Sequence, residues 1–102
     1  MTTGEALQKV DDLRRFGTHV REGGHIGYRS REVFIDCGGI QRGVDSCLHC
    51  GEVVGMGVIT VRHDDGRSVS FDPRLFHYAE AGHPITSDDI DGDTLVAIVA
   101  DA

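Results

Sequence analysis

The chain has 102 residues, a formal net charge of −7, 39% hydrophobic residues and no tryptophan. A chain of this length suits one domain, residues 1–102, that buries somewhat more than about 60% of its unfolded surface, and its acidic balance disfavours sequence-independent binding to phosphate backbones. The start lacks a basic stretch followed by an apolar run, which excludes an ordinary secretory signal. No segment approaches the roughly 18 apolar residues of a membrane helix, so a cytoplasmic protein without a membrane partner is expected.

Thr2 and Glu5 match a capping box, and Ala6, Leu7, Val10, Leu13 and Phe16 recur at helical spacing before Gly17, predicting an amphipathic helix over 3–16. Residues 17–27 hold Gly23, Gly24, His19 and His25 and read as an irregular loop. Residues 28–36 read as a strand ending at Cys37, and Gly38-Gly39 turn the chain. A β-rich stretch over 53–62 leads to Asp65-Gly66, placed for a hairpin turn, and Val69 and Phe71 mark a returning strand over 67–72. Asp72-Pro73 start a helix over 73–81 that Gly82 stops. After the acidic loop from Ser87 to Asp93, Leu95 to Val99 form a short apolar run that reads as a buried strand. The expected fold is a small α+β domain: an antiparallel sheet of about four strands with two helices, stabilised by a zinc knuckle.

The three cysteines lie within one short stretch: Cys37, then Cys47-Leu48-His49-Cys50-Gly51. Structural zinc takes four tetrahedral ligands, and side chains three residues apart on a tight turn converge on one ion. In a reducing compartment such an odd, clustered set points to metal or redox chemistry rather than disulfides. If the strand ending at Cys37 pairs with the one that starts after Cys50, all three sulfurs meet at one end of the sheet. His25 and His63 then fall at the other end, roughly 30 Å away. If they met there, they would form a second metal or acid–base group with Asp64 or Asp65, but the stronger reading is of ordinary solvated positions, His63 flanking a hairpin turn and His25 in a glycine loop. His77, in the second helix, is the expected fourth ligand, with His49 and His83 as alternatives. The expected metal site is therefore Cys37, Cys47, Cys50 and His77, and the expected cofactor is zinc, because iron–sulfur clusters normally take four thiolates.

Other chemistries fail on residue type. A zinc deaminase needs a glutamate two residues after a ligand and a proline before the cysteine pair, but Ser46 stands in the proline position. A dithiol oxidoreductase places its cysteines at a helix start, and Gly51-Glu52-Val53-Val54-Gly55 does not read as a helix. Asp89 to Asp93 has a misplaced glycine for a calcium loop, no glycine run is followed by a phosphate-binding lysine, and no serine lies in a Gly-x-Ser-x-Gly turn. Cys47 to Gly51 resembles a zinc-ribbon knuckle whose companion is reduced to Cys37-Gly38, a likeness that spans about fifteen residues and implies zinc and no particular activity.

Function is expected to be that of a non-enzymatic zinc-binding interaction module, an accessory or phage-type regulator that binds another protein. Residues 52–102 carry ten acidic and three basic side chains, so Asp88, Asp89, Asp91 and Asp93 would face a basic partner surface. Two alternatives compete. One is a small zinc enzyme with an open metal position and His49, His77 or Glu52 as proton carrier. The other is a nucleic-acid binder using Arg14, Arg15, Arg21, Arg29 and Arg31, which face only Glu22 in sequence.

Overall fold

The computed structural model describes residues 1–102, with the side chains of 40–42 left aside. It is an α+β structure of three helices, a five-stranded sheet and a two-stranded ribbon. Helix α1 (Thr3–Phe16) starts on the predicted capping box: Thr2 accepts the Glu5 amide at 3.1 Å, and Glu5 accepts the Thr2 amide at 3.0 Å. Its stripe buries Ala6, Leu7 and Val10, but Phe16 ends the helix 83% exposed.

The stretch read as a loop is instead a hairpin. Strands β1 (His19–Glu22) and β2 (His25–Ser30) pair from His19↔Tyr28 to Glu22↔His25. Gly23 and Gly24 both take positive φ, the requirement of the two-residue turn whose twist suits a hairpin. The predicted strand over 28–36 also divides. A turn at Arg31 and Glu32 folds β3 (Val33–Asp36) back on β2. Among the described residues, Arg31 is the one non-glycine residue with positive φ, at 53°.

The β-rich stretch over 53–62 breaks at Val58. Strand β5 (Val53–Gly57) pairs only with β4 (Ile40–Ser46), making the ribbon. Strand β6 (Ile59–His63) pairs with β3 and with β7 (Ser68–Phe71). The sheet order is β1-β2-β3-β6-β7, antiparallel throughout.

Helix α2 (Arg74–Ala81) has its first amide bonded to Asp72 Oδ1 at 2.9 Å and ends at Gly82, which takes the left-handed φ of 75°. The predicted last strand is helix α3 (Gly92–Val99). Asp91 caps it by accepting the Thr94 amide at 3.2 Å and hydroxyl at 2.7 Å. Leu95, Ile98 and Val99 are buried while Ala97 faces out. That is helical periodicity, and with the cap it overrides the strand preference of a β-branched run.

Alternation sorts the sheet into two faces. Val33, Ile35, Ile59, Val61, Val69 and Phe71 join α1, Leu75 and Tyr78 of α2, and α3 in one core. On the opposite face Arg29 lies over the Phe34 ring, and Thr60 and Ser70 exchange a 2.9 Å hydrogen bond. The ribbon stands beside this body, contributing Cys47 and Val54 to the core.

Candidate metal centre

The knuckle forms where the ribbon turns between β4 and β5. The Gly51 amide donates to the Cys47 carbonyl and the Cys47 amide to the Glu52 carbonyl, both at 2.8 Å. The resulting turn points both sulfurs the same way. Cys47 is buried and Cys50 exposed. Burial opposes ionisation of Cys47, but the His49 and Cys50 amides and the Cys50 thiol stabilise its thiolate, and the net effect holds it below the usual thiol range. For Cys50 the Glu52 amide favours the thiolate. Desolvation and the neighbouring Cys47 sulfur oppose it, and the result is a raised thiol. The two sulfurs thus share protons unequally, as closely placed thiols do before a cation replaces the proton.

Helix α2 brings the nitrogen donors. His77 Nε2 lies 3.3 Å from Cys50 Sγ, and its Nδ1 lies 3.2 Å from Glu52 Oε2. A carboxylate on the far nitrogen of a metal-binding imidazole fixes its tautomer and orientation. Beyond α2, left-handed Gly82 reverses the chain and the His83 amide donates back to the Tyr78 carbonyl at 2.9 Å. This sets the His83 ring 5.2 Å from that of His77. Donor atoms of Cys47, Cys50, His77 and His83 all lie within 4.8 Å of one another.

The residues fit a metal ion. A tetrahedron with zinc-type bonds has edges of roughly 3.3–3.8 Å, so the donors need to close by only about 1 Å. His83 Nε2 is also buried without a hydrogen-bond partner among the described residues. A buried nitrogen left unpaired is costly, and a cation bound in this group would relieve it if it ligates through Nε2.

Cys37, placed in the site by sequence, lies elsewhere. Its expected partner strand was the one after Cys50, but β3 pairs with β6, and β5 leaves with β4 and takes the knuckle with it. Cys37 is half-buried against the core with Sγ 3.9 Å from the Ile35 carbonyl, and burial pushes its thiol up. The fourth donor atom of the cluster is that of His83, a residue expected only as an alternative to His77. His49 packs its ring on Tyr78 at 4.9 Å and His83 at 5.0 Å, flanking the donors.

The expected meeting of His25 and His63 also fails, because the unforeseen turn at Arg31 sends them to opposite ends of β3. His25 Nδ1 pairs with buried Asp36 at 2.9 Å, while His63 stands opposite Val33.

Several of the candidate binding charges are matched. Arg14 and Arg15 pair with Asp11 at 2.6 and 3.1 Å, and Arg29 pairs with Glu22 at 2.6 Å and Asp64 at 3.1 Å. Of the acidic loop, Asp89 accepts from Thr86 and Asp91 caps α3. A groove of about 350 Å³ runs between α1, α2 and β5 and reaches His77 alone of the four donors. No helix among the described residues is long and apolar enough to cross a membrane. Compared with known proteins, the chain matches no family model, no curated protein and no solved structure.

Proposed function

We propose that the chain is a non-enzymatic interaction module, a small regulator that binds another protein, with zinc held by Cys47, Cys50, His77 and His83. The observation that carries this reading is the convergence of four cysteine and histidine donors, from the ribbon turn, α2 and the residue just past it, on one point. Two thiolates and two imidazoles are a donor set that suits zinc, and four of them close its coordination. When bound, such an ion contributes folding free energy. Here it would staple the ribbon to α2.

A closed site argues against the zinc-enzyme alternative. Of that reading's proton carriers, His77 is a donor and Glu52 is engaged with it. The nucleic-acid alternative is weakened because Arg14, Arg15 and Arg29 are already in ion pairs, leaving few free charges for phosphates.

The stapled ribbon offers the contact surface. Val44, Leu48 and Val53 are 69%, 77% and 68% exposed. By register Val44 and Val53 share one face, since Val44 lies opposite Gly55 and Val53 opposite Ser46. This exposed face favours a protein partner with an apolar contact.

Metal content per chain, in protein purified without added metal, tests the reading. One zinc per chain is expected at the knuckle, kept in Cys37→Ser and in the paired change Glu32→Gln with Asp101→Asn, and lost from the knuckle in Cys50→Ser, His77→Ala and His83→Ala. Metal-free protein removes the staple. Zinc that survives His83→Ala means an open coordination position and restores the enzyme alternative.

A further inference from the structure

Residues 59, 61 and 63 share the inward face of β6. Ile59 and Val61 are fully buried there, and the third position holds His63, only 8% exposed. A buried imidazole needs polar partners, and this one has them on both nitrogens. Nδ1 accepts the Asp65 amide at 3.0 Å and has Asp65 Oδ1 at 3.2 Å. Nε2 faces two carboxylates from distant parts of the chain: Asp101 Oδ2 at 2.8 Å, just past α3, and Glu32 Oε2 at 3.4 Å, in the β2–β3 turn.

This arrangement gathers more negative charge than one ring proton can balance. Arg67 reaches Asp101 at 3.4 Å, but its shorter contact is with Asp65 at 2.7 Å. Glu32, Asp65 and Asp101 still outnumber the two nearby guanidinium groups, Arg67 and the Arg31 that lines the adjoining depression, and this excess of negative charge favours a cation. Donor atoms of Glu32, His63 and Asp101 lie within 4.8 Å of one another. Glu32 and Asp101, though not the buried His63, border an open depression of about 320 Å³ lined also by Arg31 and Ala100, which leaves room for water ligands on the carboxylate side.

We infer that Glu32, His63 and Asp101 form a second metal site, independent of the knuckle, for a divalent transition ion. One imidazole and two carboxylates select a borderline ion such as Co²⁺, Ni²⁺ or Zn²⁺ over Ca²⁺ and Mg²⁺, which prefer all-oxygen sites. Ligation at Nε2 moves the ring proton to Nδ1, where Asp65 Oδ1 accepts it. The exchange releases no net proton and transfers no electron. It leaves the Asp65 amide without its acceptor and creates the carboxylate–histidine–metal relay that orients such ligands. The ion would tie three segments together: the β2–β3 turn, the end of β6 and the residues after α3.

Co²⁺ alone, titrated into the ¹⁵N-labelled full chain, tests this by the position of its paramagnetic effects. Shifted or broadened amide signals are expected around Glu32, His63 and Asp101, as a set distinct from any around Cys47, Cys50 and His77. The pair of changes Glu32→Gln and Asp101→Asn alters exposed, shape-preserving positions and leaves the buried histidine in place. It should raise the Co²⁺ concentration needed for the first set by roughly tenfold or more. Cys50→Ser should leave the first set unchanged, so failure of the knuckle site is read separately. Absence of effects near these three residues, or effects that the paired change does not weaken, overturns the inference.

Discussion

The sheet and the ribbon are supported in different ways. The sheet lays Val33, Ile35, Ile59, Val61, Val69 and Phe71 against helices whose facing residues are fully or nearly fully buried, and apolar burial suffices to hold it. The ribbon sends Cys47 and Val54 inward and leaves Val44, Leu48 and Val53 in solvent. A two-stranded hairpin alone is marginal in water. Where burial is thin, the chain instead concentrates cysteine and histidine. Donor chemistry and apolar area therefore divide the chain between them.

The contrast can be broken or sharpened by substitution. The largest effect is expected at Leu95, fully buried between α3 and the core: Leu95→Ala should lose roughly 2–5 kcal/mol in denaturant melts, with sheet and ribbon amides losing protection together because the ribbon docks on that core. Next in size, Cys47→Ser or a chelator should release the ribbon alone. Hydrogen exchange should rise across 43–57 while β3 and β6 keep their protection, and equal loss in both regions would make them a single cooperative unit. A smaller gain is expected from Arg31→Gly. Its positive φ strains an L-residue, and relief of about 1 kcal/mol should appear as a higher melting temperature in the sheet.

The smallest effect concerns the helix caps. The Thr94 hydroxyl and amide hold Asp91 below the usual carboxylate range, and the Thr2 amide and hydroxyl do the same for Glu5. A carboxyl depressed in the folded state stabilises above its unfolded value and loses that contribution as pH falls through its folded value. Asp91→Asn should accordingly flatten the acid limb of the thermal-stability profile by a small amount, without touching the ribbon.

The elements with local punctuation were legible in sequence. The Thr2/Glu5 box and the Asp72-Pro73 start with Gly82 stop mark α1 and α2 as they stand. Turn chemistry that departs from residue preference was not. No rule would place a turn at Arg31, yet that turn divides one predicted strand into two and separates His25 from His63. Gly23-Gly24 did carry a hairpin signal, and Asp91 with Thr94 a helix start, both masked by an acidic or glycine-rich context. In the candidate site, the Cys47/Cys50 pair followed from spacing and His77 from the predicted return of the 67–72 strand toward the cysteines. His83 depended on the reversal at Gly82, and Cys37 was misplaced because strand pairing, a long-range property, decides which strand carries the knuckle.

Helix α1 packs against α2 and α3, which are among the last segments of these residues to be synthesised. Its apolar stripe, Ala6, Leu7 and Val10, thus leaves the ribosome before either of them, has no helical cover until residues 74–81 are out, and is fully covered only after residues 92–99. Nascent chains stopped short of α3 would carry that stripe partly bare beside a half-covered sheet, the kind of exposed surface that chaperones bind and that aggregates when they do not.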